Sequence, residues 1–120
     1  MNTEDITALI KTTYPLIQGG MANIADHRLA AAVSNAGGLG LIASGGWSVS
    51  RIKREIQKTR SLTDKPFGLN LMLMHPDKDA IAKLAIEESV DVITTGAGNP
   101  NPYIKGWKEA GITVITIEPH

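Results

Sequence analysis

The chain has 120 residues, enough for one hydrophobic core and one domain. Hydrophobic residues make up 42%, charged residues 20% and aromatics 4%, so Leu, Ile, Val, Met and Ala must fill that core. The 12 basic residues balance the 12 acidic ones, which argues against binding to nucleic acid or an anionic membrane surface, and the lack of cysteine excludes disulfide and thiol chemistry.

In chain order, a short helix capped by Thr3 and carrying Ile6, Leu9 and Ile10 leads into a first apolar run, Pro15–Gln18. Leu29, Val33 and Ala36 then fall at helical spacing, and Gly37 is a natural stop. The second strand is expected over Leu39–Ala43. Ser48 caps a helix that aligns Val49, Ile52 and Ile56, with Lys53, Arg54 and Glu55 on its solvated face. Phe67–Leu73 reads as the third strand. Pro76 suits the first position of a helix that aligns Ile81, Leu84 and Ala85. Val90–Thr94 is the fourth strand. Asn101-Pro102 opens a helix that places Ile104 and Trp107 in the core and ends at Gly111. Thr113–Ile117 is the fifth strand. No apolar run approaches the ~20 residues of a membrane span, and the polar start Met1–Asp5 lacks a secretory pattern, so a cytoplasmic location is expected.

Strands with little polar alternation, joined through helices, predict a parallel sheet buried on both faces. An open doubly wound sheet and a closed barrel both satisfy this cadence. At this length the open sheet could be complete, whereas a barrel needs eight strands and about 250 residues.

Glycines and amides cluster just after the strands, in Gln18–Met21, Ser44–Gly46, Asn70–Met72 and Thr95–Asn99. In a parallel β/α protein these ends share one face, where ligands bind, and glycine lets the backbone come close to them. Gly96-Ala97-Gly98 imitates a dinucleotide fingerprint, but Asn101 stands where its third glycine belongs. Asn70 lies inside an apolar strand, so it either pairs with backbone or faces a polar ligand. Met72 and Met74 read as packing residues. His27, His75 and His120 lack metal-ligand spacing and read as surface or loop residues.

Taken together, Tyr14–Ala22, Ala31–Gly40, Lys65–Met72 and Thr94–Pro100 resemble the FMN-dependent nitronate monooxygenase and enoyl-acyl carrier protein reductase II family. The resemblance runs along nearly the whole chain and implies a fold class of α/β type. Residues 1–120 would form about four and a half βα units of a TIM-type barrel, its first half. It further implies that Gly20, Met21 and Ala22 contact FMN, that Asn70 offers it an amide, and that Ala97 and Gly98 line its site. Of the two activities, the double glycine before Met21 and the Thr94–Pro100 run look more like the enoyl reductases. In these NADH or NADPH supplies the electrons and an enoyl thioester receives them in fatty acid synthesis. Nitronate monooxygenase is the alternative. In the family the catalytic histidine and the loops that hold the FMN phosphate come later than this sequence reaches, and His120 does not match that histidine. The resemblance therefore implies one wall of a flavin site, and a non-catalytic half barrel is the reading from another class. Such a half barrel would have two open sheet edges and an uncovered apolar inner face, which leads to the expectation of a homo-oligomer.

Overall fold

Residues 26–96 and 98–116 are described by the computed structural model. The expected N-terminal helix and the strand at Pro15–Gln18 lie outside them.

Asp26 starts helix α1, His27–Asn35, by accepting the amides of Arg28 and Leu29 at 2.9 and 3.3 Å. The buried face of α1 is Ala30, Ala31 and Ser34, rather than the expected Leu29, Val33 and Ala36. The cause is close approach. A β-carbon added to Gly40, in strand β1 (Gly40–Ala43), would lie 1.9 Å from the carbonyl oxygen of Ala30. Only small residues fit between helix and strand there, so the larger ones are displaced to the margins.

Helix α2, Val49–Leu62, starts at Ser48, whose hydroxyl accepts the Arg51 amide, and buries Ile52 and Ile56 as expected. It leads to strand β2, Phe67–Met72. Helix α3 is Lys78–Glu87, two residues later than Pro76 suggests. The His75 carbonyl accepts the Lys78 amide and the His75 ring accepts the Asp77 amide, and this turn occupies the place of a first helical turn. Strand β3 is Val92–Gly96, also displaced from the expected Val90–Thr94. Its start is set by Asp91, whose carboxylate receives the Phe67 amide at 3.2 Å and whose carbonyl receives the Thr113 amide. Helix α4, Asn101–Glu109, and strand β4, Thr113–Thr116, complete the described chain.

The sheet is parallel throughout, in the order β1-β2-β3-β4. Ile42, Leu69, Ile93 and Val114 are register partners and share one core with Ile52 and Ile56 of α2, Ile81 of α3 and Trp107 of α4. Ala30 of α1 belongs to the same core, so the four described helices all cover one face of the sheet. Doubly wound sheets reverse their strand order and carry helices on both faces. Sequential order with one-sided helices is a barrel wall, and the open-sheet alternative is set aside.

On the opposite, inner face, Leu39, Leu41 and Val92 form a smaller cluster with Ile115. An uncovered apolar inner face was expected, yet these three residues are at most 3% exposed. Beside this cluster Ile115 of β4 is half-buried, and further along the same face Met72 is exposed.

Candidate functional site

Along the inner face, Ala43, Asn70, Thr94 and Ile115 form one register row near the C-terminal end of the sheet. Asn70 is half-buried. Its Oδ1 accepts the Thr94 hydroxyl at 2.7 Å, and its Nδ2 faces only the Met72 thioether, at 3.7 Å, among the described residues. Sulfur is a weak acceptor, so the amide keeps donor capacity on this face. Neither contact is to backbone, so the backbone pairing considered for Asn70 is not formed among the described residues. Thr94 fixes which way the amide points, and the strand register that brings it there is absent from the linear pattern.

Two residues further along, on the same face, Met72 pairs with Gly96. Among the described residues, a β-carbon at Gly96 would meet only the Met72 sulfur, at 3.9 Å, so these residues leave space beside this glycine on the inner face. Gly98 behaves differently. Its β-carbon would collide with that of Leu73 at 2.6 Å, which makes it a packing glycine above the end of β2. The family resemblance implies that Ala97 and Gly98 line the flavin site; Gly96 stands in the sequence only as one of the glycines clustered after the strands. Gly20, Met21, Ala22 and Ala97 lie outside the described residues.

The loops beyond the strands are tied to one another. The Ser44 hydroxyl, at the end of β1, accepts the Met72 amide at 3.2 Å, and the Gly96 carbonyl accepts the Leu73 amide at 2.9 Å. His75 lies in the loop after β2, one of the two places expected for it, but it is buried there and not at the surface, and it staples two loops together. Its Nε2 donates to the Trp47 carbonyl at 2.8 Å while its Nδ1 accepts the Asp77 amide at 2.9 Å. Those two bonds define a neutral tautomer. Trp47 is buried and the Arg51 guanidinium lies 4.3 Å above its ring.

Glu55 also departs from the expected solvated face. It is 5% exposed and accepts the His27 amide at 2.9 Å and the His27 Nδ1, with Arg51 Nε at 3.9 Å. Helix α2 thereby grips the first residue of α1. At that same end, partial burial raises the Asp26 carboxyl pKa. The Leu29 amide, the Arg28 side chain and amide and the Arg28 charge outweigh it, and the net pKa is lowered. Met72 and Met74, expected to pack, are 36% and 79% exposed at the mouth of this region.

The donor set fits a flat heteroaromatic cofactor. Asn70 can donate to a ring carbonyl, Gly96 leaves room for the ring edge, and buried bonds fix the surrounding loops. FMN bound there would rest against the inner ends of β2 and β3.

The chain is similar to several known proteins. FabK from Thermotoga maritima is 46% identical and superposes with a TM-score of 0.92, covering 97% of this chain and 37% of that one. Nitroalkane oxidase from Streptomyces ansochromogenes is 25% identical with a TM-score of 0.84, covering 92% of this chain and 41% of that one. A Rhodococcus jostii protein, (3aS,4S,5R,7aS)-5-hydroxy-7a-methyl-1-oxo-octahydro-1H-indene-4-carboxyl-CoA dehydrogenase, is 38% identical over 110 residues, 92% of this chain and 31% of that protein. The chain thus spans about a third of the length of such relatives. The sequence model of the nitronate monooxygenase family matches residues 3–118, nearly the whole chain, and the chain belongs to that family.

Proposed function

We propose that residues 1–120 form the first part of an FMN-binding β/α barrel whose complete form is an enoyl-acyl carrier protein reductase. The observation that carries the flavin assignment is the Asn70 amide, oriented by Thr94 and, among the described residues, given only the weak Met72 thioether as acceptor, beside Gly96. FMN held there would supply hydride transfer from NADH or NADPH to the β-carbon of an enoyl thioester. The chain's own residues bind and orient. Asn70 donates to the ring, Thr94 prevents the amide from flipping, Gly96 admits the ring edge, and His75 and Ser44 hold the loops at its margin.

The enoyl assignment is supported by the 46% identity to FabK, against 25% to the nitroalkane oxidase. The Rhodococcus relative is named as acting on a CoA thioester, the same ester chemistry. Nitronate monooxygenase is the second reading, favoured by the family's own name. Turnover of crotonyl thioester with NADPH against propyl nitronate with oxygen, by the complete protein, decides between them. Nitronate turnover alone would overturn the enoyl reading.

Asn70→Asp tests the flavin contact. Aspartate still accepts the Thr94 hydroxyl but has no amide donor, so the apoprotein should melt within a few degrees of wild type. FMN affinity in the complete protein should fall at least tenfold, on the order of a lost hydrogen bond and an added charge. Unchanged affinity by fluorescence titration would remove Asn70 from the site. Homo-oligomerisation through the half-buried β4 belongs to the same proposal, and sedimentation of this chain as a monomer at micromolar concentration would rule it out.

A further inference from the structure

Between the loop after β1 and the loop after β2 lies a cleft of about 480 Å³, within the usual range for small-molecule pockets of about 300–1,000 Å³. Gly46, Trp47, Met72, Met74, His75 and Asp77 contribute to its lining. The proposed reaction centre, at Asn70 and Gly96, leaves this cleft without a role.

The exposed Asp77 carboxylate aside, its polar side chains are already used. Both ring nitrogens of His75 are bonded, one to the Trp47 carbonyl and one to the Asp77 amide, and the Ser48 hydroxyl caps α2. The two exposed methionines, Met72 and Met74, are the large apolar side chains left facing solvent here. Thioether side chains are flexible and polarisable, and suit apolar partners of variable shape. The cleft is also continuous with the reaction centre. The Met72 sulfur that lines it lies 3.7 Å from Asn70 Nδ2 and would lie 3.9 Å from a β-carbon at Gly96.

We infer that this methionine-lined cleft holds the aliphatic tail of the acyl substrate, with Met74 setting the preferred chain length. The inference rests on the proposed thioester activity. A thioester with its reacting carbons against the Asn70–Gly96 wall would direct its tail past Met72 and out between the two loops. The His75 bond to Trp47 fixes those two loops relative to each other before the tail arrives, so the cleft is formed in advance.

The test uses the complete FMN-loaded protein and the unreactive saturated probes butyryl- and decanoyl-pantetheine, with binding read by calorimetry. Wild type should bind the decanoyl probe at least about tenfold tighter than the butyryl probe. Met74→Asp should reduce that ratio about tenfold, while Met74→Leu should preserve it. A thermal transition unchanged in both variants verifies folding, as expected at a position 79% exposed. Absence of a chain-length preference in wild type, or an equal preference in wild type and Met74→Asp, would overturn the inference. NADPH-dependent enoyl reduction is measured separately on the same preparation. If reduction is absent and the preference is present, the enoyl reading fails and the cleft assignment stands.

Discussion

The two ends of the sheet follow opposite rules. At the N-terminal end every polar side chain discussed below links one element to the next. The Ser34 hydroxyl donates to the Pro66 carbonyl at 2.7 Å and accepts the Gly40 amide at 3.0 Å. Asn35 donates to the Leu62 carbonyl and accepts the Thr63 hydroxyl, and Asp91 receives the Phe67 amide. At the C-terminal end, Asn70 retains donor capacity, Gly96 leaves space unfilled, and two methionines face solvent. One end is closed by saturated hydrogen bonds and backbone contact. The other keeps valence and volume in reserve, at the end of the strands where β/α barrels bind their ligands.

Exchanging glycine for alanine at each end exposes this contrast. Gly40→Ala drives a methyl group into the Ala30 backbone, which no rotamer change can relieve. A loss of about 3 kcal/mol or more is expected, seen in urea titration or as failure to accumulate soluble protein. Ser34→Ala comes next. It removes both bonds of a buried hydroxyl and should cost about 2 kcal/mol by the same titration. Gly96→Ala should change stability by no more than about 0.5 kcal/mol, because the space is open. In the complete protein it should nevertheless weaken FMN binding about tenfold. If Gly40→Ala is tolerated, or if Gly96→Ala unfolds the chain, the contrast between the ends is wrong.

The smallest expected effect lies on the helical layer. Tyr103 of α4 donates to the Asp79 carboxylate on α3, and this bond, with burial and the negative charge of Asp79, pushes the phenol up from 10.0 to about 12. A raised folded-state pKa means that the folded state holds its proton longer than the unfolded one. The contribution is therefore complete below pH 10 and is lost as pH rises from 10 toward 12. Tyr103→Phe should flatten the stability profile in that window, measured by melting at stepped pH, and leave it unchanged near neutrality apart from the lost hydrogen bond.

Much of the fold was legible because periodicity and punctuation act locally. Ser48, Gly37 and Gly111 mark helix ends through backbone geometry, and the β-branched runs mark strands wherever tertiary contacts agree. Trp107 was placed in the core by its spacing from Ile104, and it is fully buried with its indole N–H on the Ala82 carbonyl. Asn70 stood out as an amide within an apolar strand. Resemblance to the flavin family, carried by motifs in register, identified the barrel despite the short length.

What the sequence alone could not decide depends on partners distant along the chain. Glu55 reads as solvated among Lys53 and Arg54, yet His27, 28 residues earlier, draws it inward. His75 has no motif around it, and its role is set by a carbonyl on the preceding loop. The α1 interface selects alanine over leucine because Gly40 lets the backbones nearly touch. Gly96 and Gly98 are indistinguishable in the sequence. Strand pairing directs Gly96 to the inner face while Gly98 is lodged against Leu73, so the identical lack of a side chain leaves space in one case and permits packing in the other. Sequence determined the elements, their order and the face on which chemistry would gather. Tertiary contact decided which polar atoms on that face were satisfied and which stayed available, because hydrogen-bond saturation depends on neighbours that only strand register and loop closure bring together.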